Sequence, residues 1–192
     1  MIILHFLYMF IINKKYLHLT NAIHEQPITK YWGDGSSSSS DGQRFKTGGI
    51  KEELEKQVES LNLKNVKFLG SIDEEEKVVL LNLCYGFIFP SHLRTEAFGI
   101  SLLEASAFGK PMISCEIGSG TSFVNKHNET GLVINPGSSK ELYSAMKFLL
   151  DNQDTAKEMG KRAKIRAAEL FSSQEQANAY YKLYQELLYK KT

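Results

Sequence analysis

The chain has 192 residues, of which 42% are hydrophobic and 23% charged. That is ordinary globular usage; it excludes whole-chain disorder and suits one domain with at most an appendage. Lys and Arg number 23 against 22 Asp and Glu, a formal charge of +1, so no global basic field exists to hold a nucleic acid and none is expected as a partner.

The first twelve residues, Met1 to Ile12, are almost wholly apolar and precede Asn13-Lys14-Lys15. A membrane span needs about 18 to 20 such residues. A signal peptide carries its positive charge before the apolar run, not after it. The run is therefore expected to be a buried strand opening an α/β domain, in a cytoplasmic protein. Cys84 and Cys115 are too few for a disulfide scaffold and read as small buried hydrophobes in a reducing compartment.

Five consecutive serines, Ser36 to Ser40, lead into the Gly-containing stretch that ends at Gly49. Such a stretch cannot bury apolar surface and is expected to be a flexible insertion over 36–49. It separates an opening β-α-β part, residues 1–35, from the main body, residues 50–192.

Beyond it, helices and strands alternate. Ile50, Leu54, Val58 and Leu61 have the spacing of an amphipathic helix. Val66 to Gly70 is a short strand. Asp73 to Cys84 is a helix with Asp73 as its cap and Glu74 to Glu76 in the first turn, where the helix dipole favours negative charge. Gly86 to Pro90 is a fully apolar strand, Gly99 to Ala107 a helix, and Pro111 to Cys115 and Gly131 to Ile134 two further strands. Helices over Ser139 to Leu150, Asp154 to Leu170 and Ser173 to Tyr189 complete the chain.

Short uninterrupted apolar strands between helices predict an α/β fold: a doubly wound parallel sheet covered on both faces, Rossmann-like. Such a sheet binds its ligand at the carboxyl ends of its strands. The loops after Gly70, Phe89 and Cys115 are therefore the expected functional edge.

One of these loops carries the chemistry. Between Phe89 and Ala105 lie a carboxylate, Glu96, a glycine, Gly99, that starts a helix, and a second carboxylate, Glu104, on that helix. Free amides of Phe98, Gly99 and Ile100 at the helix start are expected to face an anion. Gly99 lets a ligand approach the backbone closely. Glu96 can accept hydrogen bonds from sugar hydroxyls, and Glu104 can hold a ribose diol. Two glutamates eight apart also arise by chance on a surface helix, so spacing alone leaves both readings open.

The run Glu96 to Glu104, continued by Ala105 to Ser114, resembles the signature of family 4 glycosyltransferases, whose mark is two glutamates separated by seven residues. The resemblance extends over Asn65 to Gly70, Gly118 to Thr121, Glu129 to Val133 and Pro136-Gly137, or about Ile50 to Leu188 in all. It implies the carboxyl-terminal half of a GT-B fold and a retaining hexosyl transfer, such as mannosyl transfer, from a nucleotide-diphosphate sugar. Surface polysaccharide or lipopolysaccharide synthesis is the implied setting.

By the same resemblance, Glu96 is the catalytic-site carboxylate on the transferred sugar, and Phe98, Gly99 and Ile100 hold the sugar and diphosphate. Glu104 binds the ribose, while the Gly70 to Glu74 loop, with Ile72 and Glu74, borders the nucleobase. No cofactor and no metal are expected. The Gly118-Ser119-Gly120 loop reads equally as a plain turn and as a donor-facing loop.

Two departures stand out. Family members carry a Gly-Arg pair and a lysine near the amino end of this domain, where this chain has Phe10-Ile11 and then Lys14-Lys15. Lys14 or Lys15, the latter the candidate site residue, is left to supply the charge beside the diphosphate, with a solvated lysine pair as the alternative. The matched segments also all belong to the donor half, so acceptor-binding residues are expected from an amino-terminal domain outside this sequence, and the isolated chain is expected to be inactive without it. A second reading stays open, a non-catalytic nucleotide-sugar-binding remnant or truncated gene product. From Lys157 onward eight basic residues face four acidic ones. They read either as a solvated face or as a peripheral contact with the inner face of the membrane, where lipid-linked acceptors are found.

Overall fold

The computed structural model describes residues 2–5, 9–12, 48–63, 66–70, 72–92, 94 and 96–189. Strands β1 (Ile2–His5), β2 (Met9–Ile12), β3 (Val66–Gly70), β4 (Gly86–Phe89), β5 (Met112–Cys115) and β6 (Gly131–Ile134) form one sheet in the order β3-β1-β2-β4-β5-β6. Around it lie α1 (Gly48–Ser60), α2 (Glu74–Leu83), α3 (Ile100–Ala107), the single turn α4 (Thr121–Val124), α5 (Ser139–Asp151), α6 (Gln153–Leu170) and α7 (Ser173–Tyr189).

The α/β architecture expected from the alternation is present, with one change. The apolar run at the amino end is two strands rather than one. β2 pairs antiparallel with β1 and with β4, whereas β1–β3, β4–β5 and β5–β6 are parallel. A straight twelve-residue strand would span roughly 40 Å at about 3.3 Å per residue, far beyond its four- and five-residue neighbours. Folding the run in two matches its length to the sheet. The expected insertion shrinks at its end, because α1 begins at Gly48 rather than Ile50. The Ser36–Thr47 stretch lies outside the described residues.

β4 and β5 are buried at all four positions, as strands covered on both faces must be. Their side chains alternate between two cores. Ile88, Ile113, Cys115 and Ile134 pack against Leu142, Met146, Leu149 and Met159 of α5 and α6. Phe87, Phe89 and Met112 face Leu81, Leu102, Ala105 and Ala163 on the other side. Helix α6 is drawn close to the turn after α3: a Cβ on Gly160 would lie 2.1 Å from the Gly109 carbonyl oxygen, so only glycine fits there.

The turn between α4 and β6 is fixed by buried polar groups. Asn125 Nδ2 donates to Ser114 Oγ at 2.9 Å and to the Leu132 carbonyl at 3.1 Å, and Thr130 Oγ1 donates to Asn125 Oδ1 at 3.1 Å. Satisfying these groups internally is what makes their burial tolerable. Both cysteines are free and buried, as expected.

Candidate functional site

Strands β3, β4 and β5 run in the same direction, so their carboxyl ends open on one edge of the sheet. That edge carries Ile72–Glu74, the 90–99 loop and the 116–120 loop, as expected.

Asp73 caps α2, as expected. Its Oδ1 accepts the Glu76 amide at 2.8 Å, and Glu76 Oε2 accepts the Asp73 amide at 3.1 Å, a reciprocal capping box that fixes where this loop turns into the helix. Ile72 is half-buried just before it, and Glu74 is exposed in the first turn.

The 90–99 loop ends at Gly99, the N-cap of α3, with φ +83°. A Cβ there would meet Leu102 Cδ1 at 3.0 Å and Thr121 Cγ2 at 3.3 Å, and the left-handed backbone would strain any other residue. Glycine is thus required at the helix start.

The helix start differs from the free-amide arrangement expected of Phe98, Gly99 and Ile100. The Gly99 amide is not free, because Glu96 Oε1 accepts it at 2.9 Å. The amino end of a helix carries partial positive charge, which favours a carboxylate beside it. The Leu102 and Leu103 amides both donate back to the Gly99 carbonyl. Ile100 and Ser101, the first two helical residues, have amides with no partner within the helix and so stand at its partially positive end. The Ile100 and Phe98 side chains are exposed.

Glu104 lies four residues beyond Ile100, about 6 Å along the axis. Its Oε1 accepts from Lys77 Nζ at 2.7 Å, and the same ammonium contacts Glu74 Oε2 at 2.7 Å. The hydrogen bond to Glu104, and next that to Glu74, hold the Lys77 ammonium above the ordinary lysine range. The sequence reading placed Glu74 and Glu104 separately and missed Lys77, which joins them. Its signal was present in the Glu74–Lys77 spacing of three on a helix.

The 116–120 loop belongs to the same edge. The exposed Glu116 braces it: Oε1 accepts the Gly118 amide at 3.0 Å and Oε2 accepts the Ser122 hydroxyl at 2.7 Å. The Gly120 amide donates to the Ala97 carbonyl at 2.8 Å. A Cβ on Gly120 would lie 2.6 Å from Phe98 Cδ2 and 2.8 Å from the Ala97 oxygen. The loop therefore docks directly on the segment between Glu96 and Gly99.

Phe98 is also held from behind. Its ring meets Phe171 edge to face at 5.9 Å, Phe171 meets Phe123 at 5.6 Å, and the Arg166 guanidinium lies 5.1 Å and 5.8 Å from the Phe123 and Phe171 ring centres. Phe123, Arg166 and Phe171 escaped the sequence reading, since nothing in their spacing marks three distant positions as neighbours.

The chain leaves β2 at Ile12, which pairs with Gly86 at the amino end of β4, the opposite edge of the sheet. Lys14 and Lys15 themselves lie outside the described residues. The basic residues of α6 are largely engaged: Lys161 pairs with Glu158, Arg162 Nε donates to the Glu129 carbonyl at 2.6 Å, and Arg166 Nη2 to the Phe123 carbonyl at 2.8 Å. Among the described residues no helix is long and apolar enough to cross a membrane, and no group of three or more His, Cys, Asp or Glu is gathered as for a metal ion.

The chain is similar to known proteins. The family model "Glycosyl transferases group 1" matches residues 43–166. A second model, "Tn3 transposase DDE domain", matches residues 11–61, a minority of the chain that overlaps the first at α1. D-rhamnosyltransferase WbpZ of Pseudomonas aeruginosa is 52% identical over 126 residues, 66% of this chain and 33% of that protein. O-antigen chain mannosyltransferase C of Escherichia coli is 43% identical over 145 residues, 76% of this chain and 39% of that protein. The chain thus spans between a third and two fifths of the length of these relatives. Among solved structures, a sucrose-phosphate synthase of Thermosynechococcus elongatus matches with a TM-score of 0.66 and 31% identity over 79% of this chain and 37% of that one. HepE of Anabaena in complex with UDP-glucose matches with a TM-score of 0.63 and 25% identity over 71% and 37%. The fold is that of the carboxyl-terminal half of the GT-B glycosyltransferases, and the chain belongs to the Glycosyl transferases group 1 family.

Proposed function

We propose that this chain supplies the donor-binding side of a retaining glycosyltransferase that takes a hexosyl group from a nucleotide-diphosphate sugar, in the synthesis of a surface polysaccharide or O-antigen. The observation that carries the proposal is the Glu96 carboxylate seated on the Gly99 amide at the start of α3, with Glu104 farther along the same helix. A carboxylate at that point marks where an anion is favoured, and it stands within reach of a sugar attached to that anion.

In this reading the Ile100 and Ser101 amides face the diphosphate and stabilise it as it leaves with negative charge, a preorganised electrostatic contribution. No metal is assigned to this step. Glu96 accepts hydrogen bonds from the sugar hydroxyls, Glu104 from the ribose, and the Ile72–Glu74 segment borders the base. The acceptor, a glycan or a lipid-linked sugar, meets the donor from a domain outside this sequence. Contact with an anionic lipid surface would fall to Lys157 and Lys164 of α6 and Lys182 of α7.

Rhamnose of the D series is 6-deoxymannose, so the rhamnosyl- and mannosyltransferase relatives name sugars of one ring configuration. That favours a manno-configured donor, and it favours a transferase over a non-catalytic remnant. Calorimetry with GDP, GDP-mannose and UDP-glucose tests the reading. GDP-mannose is expected to bind more tightly than GDP, and to lose that advantage in Glu96→Ala. Absence of heat with all three at millimolar ligand and folded protein would overturn the donor-site assignment.

A further inference from the structure

Lys77 stands between two carboxylates that come from different parts of the site. Glu74 opens α2, directly after the loop assigned to the base, and Glu104 lies on α3, 30 residues later. The ammonium contacts both at 2.7 Å. Lys77 and Glu104 are only partly exposed, with side-chain accessibilities of 19% and 32%, so solvent screens this contact less than it screens the Glu74 arm, which is 86% exposed.

We propose that Lys77 is a positioning residue for the nucleotide: it holds Glu104 Oε1, turns Oε2 toward the ribose hydroxyls, and ties that carboxylate to the Ile72–Glu74 loop. The inference rests on the donor-site reading above and deepens it.

The chemistry follows from the inventory of donors and acceptors. Each carboxylate oxygen offers two lone pairs, so Oε2 can accept from both hydroxyls of a neutral diol while Oε1 accepts from the ammonium. A glutamate side chain left alone on a helix samples several rotamers, and each must be given up when a ligand arrives. With Oε1 fixed by an ammonium, that ordering is done before binding. The two carboxylates and one ammonium leave a net charge of −1, which suits hydroxyl donors and repels phosphate. The diphosphate is thereby kept at the start of α3, one turn away. Lys77 also accounts for how Glu74 and Glu104 sit close to one another without unscreened repulsion.

The test is a ligand comparison on the whole chain. GDP and 2′-deoxy-GDP are titrated into the unaltered protein and into Lys77→Met, Lys77→Arg and Glu104→Gln, with thermal unfolding of each variant as a check on folding. The unaltered chain should prefer the ribonucleotide by about tenfold or more, the scale of a hydrogen bond to a charged group. Lys77→Met should reduce that preference several-fold while 2′-deoxy-GDP binding changes little, and Lys77→Arg should restore much of it. Equal weakening of both nucleotides in Lys77→Met, or an unchanged preference, overturns the positioning role while leaving the donor site standing. Failure of Glu104→Gln to alter the preference overturns the ribose assignment itself, and the Lys77 role with it.

Discussion

Glu96 and Gly99 form a closed unit at the head of α3: the carboxylate oxygen of one accepts the backbone amide of the other at 2.9 Å, three residues apart. The loop proposed to receive a sugar is thus organised by its own carboxylate. Glu96→Ala removes both the acceptor for the Gly99 amide and the acceptor for sugar hydroxyls. The expected cost in stability is about 1 kcal/mol, that of one hydrogen bond at a partly buried site. Nucleotide-sugar affinity should fall about tenfold or more, while free-nucleotide affinity changes less than about threefold. Equal losses for the two ligands would show that Glu96 acts on the nucleotide rather than the sugar.

The two glycines of the 116–120 loop should behave differently. Gly120→Ala puts a Cβ 2.6 Å from Phe98 and 2.8 Å from the Ala97 oxygen, so the loop must move off the Glu96–Gly99 segment. A destabilisation of about 1 to 3 kcal/mol, the scale for overpacking, is expected together with weaker donor binding. Gly118→Ala meets nothing within 4 Å, and only its φ of +64° resists the change. Thermal unfolding should register a cost of about 1 kcal/mol, with donor affinity unchanged. Loss of binding in Gly118→Ala would mean that the loop's own conformation, not its docking, matters to the site.

The aromatic group behind Phe98 is expected to stabilise the site loop from outside it. Phe171→Ala removes the edge-to-face partner shared by Phe98 and Phe123, at about 1 to 3 kcal/mol for a half-buried ring. Arg166→Met should cost less, because it loses the bond to the Phe123 carbonyl but also removes a buried Nε that has no hydrogen-bond partner. Chemical denaturation curves of the two variants test this order, which is contradicted if Arg166→Met is the more damaging.

Burial pushes the Cys84 thiol up to about 11 and the Cys115 thiol up to about 12. The folded state thus holds these protons to higher pH than the unfolded chain, and stability should fall as pH rises above the ordinary thiol range of about 8.5 to 9. At pH 8 the thiolate fraction of Cys84 is about a hundredfold below that of an exposed thiol. Neither cysteine should be alkylated by iodoacetamide in the native protein at pH 8, and both should be once it is unfolded in denaturant. Rapid native labelling would show that the core opens around β5 or the end of α2.

Much of this was written locally in the chain. Gly86 and Pro90 bracket β4, Asp73 and Glu76 announce the start of α2, and the helices from Ser139 and Ser173 begin and end within a residue of where their periodicity places them. Such signals are legible because capping and burial act over a few residues. The reversal within Met1–Ile12 was not legible, since an unbroken apolar run shows no period and its folding is decided by the length of neighbouring strands. The single turn α4 is too short to carry a pattern. At the site, Glu96, Gly99 and Glu104 could be read from one continuous stretch. Lys77 needed the packing of α2 on α3, and the Phe98–Phe171 contact needed the path of α6, neither of which spacing along the chain contains.

The central claim is that a nucleotide-diphosphate sugar binds at the amino end of α3. Amide chemical-shift mapping of the whole chain, titrated with GDP-mannose and separately with GDP, tests it residue by residue. Both ligands should move the amides of Ile100, Ser101 and Glu104 and those of the Ile72–Glu74 segment, and GDP-mannose alone should further move Gly99, whose amide Glu96 holds. Shifts confined to other parts of the sheet, or a GDP-mannose map that leaves Gly99 to Ser101 unmoved at saturation, would contradict it.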